Sequence, residues 1–289
     1  MIKNTIPALW TGMYVELPLA AAIRLMAGHG WRSFEVSSEH FCQLEALADA
    51  QREIAAIREA CGECRASLLQ GHGLLEAKVT HPDPQQRLQD ILRLQRHIEI
   101  AQALGIKVMV AHPGNSGGAT SRAERRNMMD LNVEAFRRLG DHAGARGLRL
   151  GLENLCHRLF ASSAELLELL ERINHPALGV TLDTSHANLT PGIDVVAAIR
   201  DFGPLLIATH LSDNDGSGDQ HRTPGYGKID WPAVIAALHE IDYGGVINLE
   251  IPGERHPDPD LKALKSRQAL DMIRHLLARI GSGRIEVMG

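Results

Sequence analysis

Short apolar runs alternate with amphipathic segments along the chain, and this alternation predicts its secondary structure. Apolar runs of about four to eight residues are typical of buried strands, whereas apolar residues at every third or fourth position are typical of helices. The predicted strands cover residues 6–10, 33–37, 65–70, 106–111, 148–153, 178–183, 205–210 and 246–250. The predicted helices cover residues 18–28, 41–59, 84–104, 121–145, 163–173, 193–200, 231–241 and 259–277.

The eight strand–helix units follow one another without interruption. Such a series predicts an α/β fold with a parallel sheet, and eight units are the number that closes into a single (β/α)8 TIM barrel. No linker rich in Pro, Gly or Ser divides the series, so residues 1–289 are predicted to form one domain. Residues 279–289 follow the last predicted helix, and we expect them to form a loose C-terminal extension.

The composition is that of a globular protein with unusual histidine usage. A hydrophobic fraction of 44% is sufficient for a large core. The net charge of -5 and the pI near 6.3 do not favour a nucleic-acid partner. Histidine is abundant, at 15 residues, while aromatic residues make up 4%, and this combination points to metal chemistry. Cys61 and Cys64 have no second pair, which predicts free thiols rather than a zinc knuckle.

We expect neither a signal peptide nor a membrane-spanning segment. The first residues, MIKNTIPALWTG, lack the apolar core of a signal peptide. No apolar run approaches the roughly 20 residues that are needed to cross a bilayer. We therefore expect a cytoplasmic protein without a membrane partner.

Carboxylates and imidazoles close seven successive predicted strands, from the second to the eighth. These residues are Glu35, His72, His112, Glu153, Asp183, His210 and Glu250. Three further candidates, His186, Asp219 and His221, follow in the loops after the sixth and seventh strands. The carboxyl ends of barrel strands meet in one shared mouth, which carries the active site of such barrels. The set predicts a site for a divalent ion, since Zn²⁺, Mn²⁺, Co²⁺ and Mg²⁺ accept carboxylate or imidazole ligands.

Several of these residues have a simpler structural interpretation. A single polar residue at a strand end often caps a turn, and Gly-His-Gly around His72 and His-Pro-Gly after residue 111 are plausible turns. Asp213 is equally consistent with hydrogen bonds to the backbone of its own turn. The aromatic and imidazole residues near the second strand are consistent either with pocket lining or with packing, and these are Trp10, Tyr14, His40 and Phe41.

Six short segments carry a family resemblance and occur in matching order along the chain. They are residues 152–154 (LEN), 182–188 (LDTSHAN), 210–213 (HLSD), 219–221 (DQH), 225–231 (GYGKIDW) and 248–250 (NLE). Together they resemble the xylose isomerase-like TIM-barrel superfamily, the sugar phosphate isomerase/epimerase group that also contains endonuclease IV. The resemblance implies the same barrel fold that the periodicity predicts.

The resemblance to the ketose 3-epimerases of this group implies roles for particular residues. One divalent ion would be held by Glu153, Asp183, His210 and Glu250, and the two glutamates would also move protons beside the substrate carbonyl. The ion would polarise that carbonyl and stabilise a cis-enediolate. Substrate contacts are implied for His186 and Arg222, and Glu35 is a further substrate-orienting candidate.

The endonuclease IV-like members imply a different use of the same residues, with three zinc ions. The ligands for the further ions would come from His72, His112, His186, Asp219 and His221. An aromatic wedge for bent DNA is absent after His72, and the basic residues at 122, 125 and 126 are more simply one solvated helix face.

The leading hypothesis is a metal-dependent isomerase or epimerase that acts through an enediolate. Its substrate would be a small ketose, a sugar phosphate or a polyol-derived ketone. The alternatives are a dehydratase or lyase of the inosose or dehydroshikimate type, and an endonuclease IV-like phosphodiesterase with several zinc ions. A small-molecule carbohydrate is the expected partner, and the resemblance also implies a homo-oligomer.

Overall fold

The computed structural model describes residues 6–114, 121–156, 159–253 and 258–281. Eight parallel strands form one sheet in the order β7-β6-β5-β4-β3-β2-β1-β8. They are β1 (Ile6–Trp10), β2 (Ser33–Val36), β3 (Ser67–His72), β4 (Val108–Ala111), β5 (Arg149–Glu153), β6 (Leu178–Asp183), β7 (Leu206–His210) and β8 (Val246–Leu249). The sheet closes at Leu211, whose amide donates to Asn248 and whose carbonyl accepts from the Glu250 amide. The predicted (β/α)8 barrel is thereby confirmed.

Helices cover the outside of this barrel, apart from one short helix that directly follows β6 at the barrel mouth. They are α1 (Leu19–Gly28), α2 (Ser38–Glu45), α3 (Ala50–Cys64), α4 (Pro84–Leu104), α5 (Arg122–Gly144), α6 (Ser163–Ile173), α7 (Thr184–Leu189), α8 (Val195–Phe202), α9 (Trp231–Glu240) and α10 (Pro259–Gly281). The apolar core fills the space between them and the outer face of the sheet. In the described part of the chain, we find no helix that combines the length and the apolar character required to span a membrane.

One predicted helix was wrong, and one short helix was missed. The single helix predicted over residues 41–59 is in fact α2 and α3, because Asp49 starts a new helix by accepting a hydrogen bond from the Gln51 amide. Helix α7 was not predicted, because its six residues are too few to show a helical period. The Asp183 carboxylate caps α7 by accepting from the His186 amide, so the end of β6 and its loop form one rigid unit.

The bounds of the remaining elements agree closely with the periodicity. Capping boxes begin α5 at Ser121 and α6 at Ser162, and Gly105 ends α4 with a φ of 82°. Strand β3 runs on to His72, so that this residue lies in the sheet rather than in a turn. Helix α10 continues to Gly281, and residues 282–289 of the expected C-terminal extension lie outside the described residues.

Candidate active site

A cavity of about 480 Å³ lies at the carboxyl ends of the strands. Seven of the predicted site residues line it, and they are His72, His112, Glu153, His186, Asp219, His221 and Glu250. Asp183 and His210 are 0% exposed and lie behind this lining, in contact with it. The fold therefore brings the residues at the ends of strands β3 to β8 into one place, as a barrel mouth should.

His210 is the meeting point of two carboxylates from other strands. Its Nδ1 atom lies 3.2 Å from Glu153 Oε1 and 3.2 Å from Glu250 Oε2. All three side chains are almost fully withdrawn from solvent, because their strands direct them into the barrel. One nitrogen and two carboxylate oxygens thus converge on one point.

Asp183 is the fourth candidate ligand, and it is the register partner of His210 on the neighbouring strand. Its amide donates to Asn154 Oδ1 at 2.7 Å, and its carbonyl accepts from Asn154 Nδ2 at 2.9 Å. Asp183 Oδ1 accepts from the His186 amide, but Oδ2 has no hydrogen-bond partner among the described residues. Glu153 Oε2 differs from it, because two imidazole nitrogens lie 3.2 and 3.4 Å from this oxygen. Buried carboxylate oxygens without a donor are costly unless a cation binds them.

Glu35 orients His210 from behind. Its Oε2 lies 2.9 Å from His210 Nε2, and the Gln70 amide donates to the same oxygen. A carboxylate at Nε2 holds the ring so that Nδ1 faces Glu153 and Glu250. Glu35 is 0% exposed and is absent from the described cavity lining, so the structure places it behind a candidate ligand and not against the substrate space.

The electrostatics of the four residues are dominated by their negative charge. Burial lowers the pKa of His210, but Glu250, Glu35 and Glu153 outweigh burial and hold this pKa well above its ordinary value. Burial raises the pKa of Asp183 to about 6, and Glu250 and Glu153 add to this against the opposing effect of nearby imidazoles. The raised pKa values show that these buried carboxylates attract positive charge. The same attraction favours a bound cation.

Two further imidazoles approach the other side of Glu153. His72 Nε2 lies 3.4 Å and His112 Nε2 lies 3.2 Å from Glu153 Oε2. The Nδ1 atoms are within hydrogen-bond distance of backbone carbonyls, at 2.9 Å from Gly73 O and 3.2 Å from Leu75 O. Nδ1–H groups that donate to these carbonyls leave both Nε2 atoms free to act as ligands.

A second group lies at the mouth of the cavity. His186 Nε2 is 3.4 Å from Asp219 Oδ2, and His221 Nε2 is 3.1 Å from Asp219 Oδ1. His186 Nδ1 lies 2.8 Å from Asn154 O, which again directs the other nitrogen into the cavity. Burial lowers the pKa of His221, but Asp219, Glu250 and Asp183 raise it to about 10. These side chains can bind substrate hydroxyls or a further ion.

Asp213 holds the loop that carries this second group. Its buried carboxylate accepts from the amides of Gly225 and Gly227 at 2.9 and 3.0 Å, and from the Trp231 indole at 2.8 Å. It also accepts from the amides of Asn214 and Ile229. Asp213 therefore bonds to the backbone of its own loop, which was the structural interpretation of this residue from the sequence.

Arg222 is directed away from the cavity. Its Nη2 atom lies 2.8 Å from Asp215 Oδ2, and Nη1 donates to the Tyr226 carbonyl. Its backbone pairs with Asp213 in both directions. Arg222 is absent from the described cavity lining, so its implied role as a substrate contact gains no support from this geometry.

The aromatic and imidazole residues near the second strand, for which the sequence allowed either pocket lining or packing, pack into the structure. His40 is 0% exposed and its ring reaches Thr11 and the Leu17 carbonyl, while Phe41 stacks on His97. The described lining includes none of these residues, nor Trp10 or Tyr14.

Sequence reasoning missed Asn154, Gln70 and much of the cavity wall. Asn154 adjoins Glu153 in the LEN segment, so a signal for it existed. Gln70 and the wall residues Lys78 and Cys156 carried no pattern that separates them from ordinary loop or strand residues.

The sequence model of the xylose isomerase-like TIM barrel family matches residues 23–276. The chain belongs to this family, which confirms the resemblance that the six segments carry. Solved structures agree at the level of the fold. A D-tagatose 3-epimerase-like protein superposes with a TM-score of 0.80 over 96% of this chain and 100% of that chain, at 22% identity.

Curated relatives include enzymes of two reaction types. The L-ribulose 3-epimerase of Methylomonas sp. is 26% identical over 87% of this chain and 85% of its own length. The 3-dehydroshikimate dehydratase of Pseudomonas putida is 30% identical over 66% of this chain, but the match covers 30% of that protein. The chain also spans less than two thirds of two uncharacterized relatives, at 58% and 55% of their lengths.

Proposed function

We propose that the protein is a divalent-metal-dependent sugar isomerase or epimerase. Its substrate is a small ketose, a sugar phosphate or a polyol-derived ketone, and the reaction proceeds through an enediolate. One observation carries the proposal, namely the approach of Glu153 and Glu250 to the same nitrogen of His210, each at 3.2 Å. Two carboxylates at one buried point suit proton transfer next to a carbonyl.

Four residues would hold the ion, and they are Glu153, Asp183, His210 and Glu250. The oxygen and nitrogen donors fit Mn²⁺, Zn²⁺ or Co²⁺, and Mg²⁺ less closely because of the imidazole. Oδ2 of Asp183, which has no hydrogen-bond partner among the described residues, supports this fit. When bound there, such an ion polarises the substrate carbonyl and so makes the neighbouring carbon more acidic.

The two glutamates are suited to move the proton. Burial raises the pKa of each, but the neighbouring imidazoles, His210 above all, outweigh burial and hold both pKa values below the ordinary range. Both groups are therefore ionised near neutral pH and able to accept a proton. They come from β5 and β8, which β6 and β7 separate, and an epimerase needs one base on each face of the reacting carbon.

Substrate hydroxyls would be bound at the mouth of the cavity. His186 and His221 present nitrogen atoms there on either side of Asp219. A cavity of about 480 Å³ accommodates a monosaccharide. The relationship to L-ribulose 3-epimerase over most of both chains supports a small sugar as the substrate class.

A dehydratase is the second candidate, and it is favoured by the similarity to 3-dehydroshikimate dehydratase. A dehydratase of this kind begins with the same step, the removal of a proton beside a carbonyl. The same glutamates would serve as bases, and the difference lies in whether a neighbouring hydroxyl then leaves.

The donor sets around Glu153 and Asp219 are consistent with a nuclease that binds several zinc ions. The charge of the cavity wall argues against a nuclease. Apart from the imidazoles, Lys78 is the cationic side chain of the described lining, whereas phosphate backbones require several.

Deuterium exchange tests the leading proposal directly. We expect the full-length protein with Mn²⁺ to incorporate solvent deuterium beside the carbonyl of at least one ketose in a panel of free and phosphorylated sugars. Glu250→Gln should abolish exchange, because an amide cannot accept the proton, while Glu240→Gln on the outer face of α9 should leave exchange unchanged. Absence of exchange across the panel, with cleavage of DNA containing abasic sites, would transfer the assignment to the nuclease.

A further inference from the structure

Three side chains of metal-binding types converge in the helical layer, away from the barrel mouth. Cys42 and Glu45 lie three positions apart on α2 and therefore share a face, and His97 lies opposite them on α4. One donor atom from each lies within 4.8 Å of the other two. We propose that Cys42, Glu45 and His97 form a binding site for a soft divalent ion of the Zn²⁺ class. This site does not depend on the proposed reaction.

His97 is the residue that points to a ligand. It is 0% exposed, and neither of its ring nitrogens has a hydrogen-bond partner among the described residues. Its Nε2 atom faces Glu45 Oε2 at 3.4 Å, outside good hydrogen-bonding geometry. The ring is held by stacking on Phe41, with 5.3 Å between the ring centroids and 19° between the ring planes. A buried imidazole without a partner is costly, and coordination of an ion would remove this cost.

The donor set selects the kind of ion. Thiolate and imidazole favour Zn²⁺ and Co²⁺ over Mg²⁺ and Ca²⁺, which prefer oxygen alone. Three protein ligands leave the fourth tetrahedral position to a water molecule. Binding replaces the Cys42 S–H bond by a sulfur–metal bond, and the proton passes to solvent.

Arg93 is the group that an incoming ion must displace. Its Nη2 atom lies 2.8 Å from Glu45 Oε2 and 3.8 Å from Cys42 Sγ, so it places a cation beside two of the three donors. The Arg93 side chain is 44% exposed and can turn into solvent. Glu45 is 16% exposed, and both of its oxygens contact the guanidinium, so Arg93 competes directly with an ion for this carboxylate. Glu45 also lines a surface groove of about 300 Å³, so this residue of the proposed site reaches the protein surface.

An ion at this position would also act on the wall of the active-site cavity. Ser38 of α2 accepts a hydrogen bond from the Leu75 amide at 3.0 Å, and Asp90 of α4 accepts from the Lys78 amide at 2.8 Å. Leu75 and Lys78 both line the cavity. Residues 75–78 are thus anchored to both helices. An ion that joins α2 to α4 would restrain both anchors, Ser38 and Asp90.

Titration of the full chain with Co²⁺ tests the site, since thiolate ligation produces a charge-transfer absorption band. The four proposed ligands in the barrel include no cysteine, so their occupation gives no such band. We expect a band that Cys42→Ser abolishes. Cys156→Ser is the matched control, because Cys156 also lies within 4.8 Å of an imidazole and a carboxylate, at the barrel mouth. Cys61→Ser with Cys64→Ser is the second control, and both controls should keep the band.

Affinities measured from the same band separate ligands from neighbours. Loss of a group that only orients a ligand weakens metal binding by roughly 10- to 100-fold. We expect Glu45→Ala and His97→Gln to weaken Co²⁺ binding by more than this. Arg93→Ala should tighten it by about fivefold, because the competing cation is gone. Hydrogen exchange at the amides of Leu75 and Lys78 should slow when Co²⁺ binds. A band that survives Cys42→Ser, or weaker binding in Arg93→Ala, would overturn the proposal.

Discussion

Individual residues behind the candidate site decide how its donors point. Glu35 on β2 contacts His210 on β7, and Gln70 on β3 holds Glu35 in turn. The orientation of His210 thus depends on buried partners that lie outside the described cavity lining. Such partners are where single substitutions should change binding without changing the fold.

Replacement of Glu35 tests this dependence. We expect Glu35→Gln to weaken Mn²⁺ binding at the barrel site by about 10- to 100-fold, because the imidazole loses the negative charge that raises its basicity. Calorimetric titration of the full chain measures this, with Glu240→Gln as the control. Unchanged affinity would mean that His210 is oriented by its strand alone.

Asp213 is expected to affect the stability of the fold rather than the orientation of a metal ligand. Asp213→Asn removes one acceptor oxygen from a cluster of backbone and indole N–H donors. We expect a loss of about 3 kcal/mol in the free energy of unfolding, because hydrogen bonds to charged groups contribute about 1.5–3 kcal/mol each. Urea denaturation measures the loss. Asp271→Asn at an exposed position of α10 should stay within about 0.5 kcal/mol of the parent. Equal losses in both variants would contradict this role.

At the scale of elements, neighbouring strands meet inside the barrel through residues of complementary size. A Cβ atom on Gly151 of β5 would collide with Thr181 Oγ1 on β6. Thr181 Oγ1 has no hydrogen-bond partner among the described residues, so its removal sacrifices no bond there. The small residue on β5 therefore makes room for the larger one on β6.

This complementarity predicts a rescue. Gly151→Ala should destabilise the fold by about 2 kcal/mol through overpacking. Adding Thr181→Ala should recover part of that loss, and a double-mutant cycle by denaturant unfolding measures the coupling. Additive losses would show that the two strands can move apart freely.

For the whole molecule, the candidate ion and the fold are linked. An ion that binds only the folded chain raises its stability, by about 2.7 kcal/mol at a hundredfold excess over Kd. We expect Mn²⁺ to raise the Tm of chelator-treated protein at pH 7, and Glu250→Gln to reduce this rise. The rise should shrink as the pH falls through about 6, because Asp183, whose pKa burial raises to about 6, then binds a proton instead of the ion. A rise that is independent of pH would place the ion elsewhere.

The sequence by itself determined the order of the eight strands and which polar residues end them. It did so because burial and helical or extended periodicity are recorded locally, in adjacent residues. The barrel topology then brought Glu153, Asp183, His210 and Glu250 together, since parallel strands expose their carboxyl ends on one side.

Only the tertiary structure decided which of these groups touch one another. The contact between Glu35 and His210 joins residues 175 positions apart, and Arg222 turns to Asp215 although its neighbour His221 faces the cavity. Likewise, no local pattern places His97 of α4 over Cys42 and Glu45 of α2. The physical reason is that periodicity specifies which face of its own element a side chain occupies. Its partners depend on how elements distant in the chain pack together.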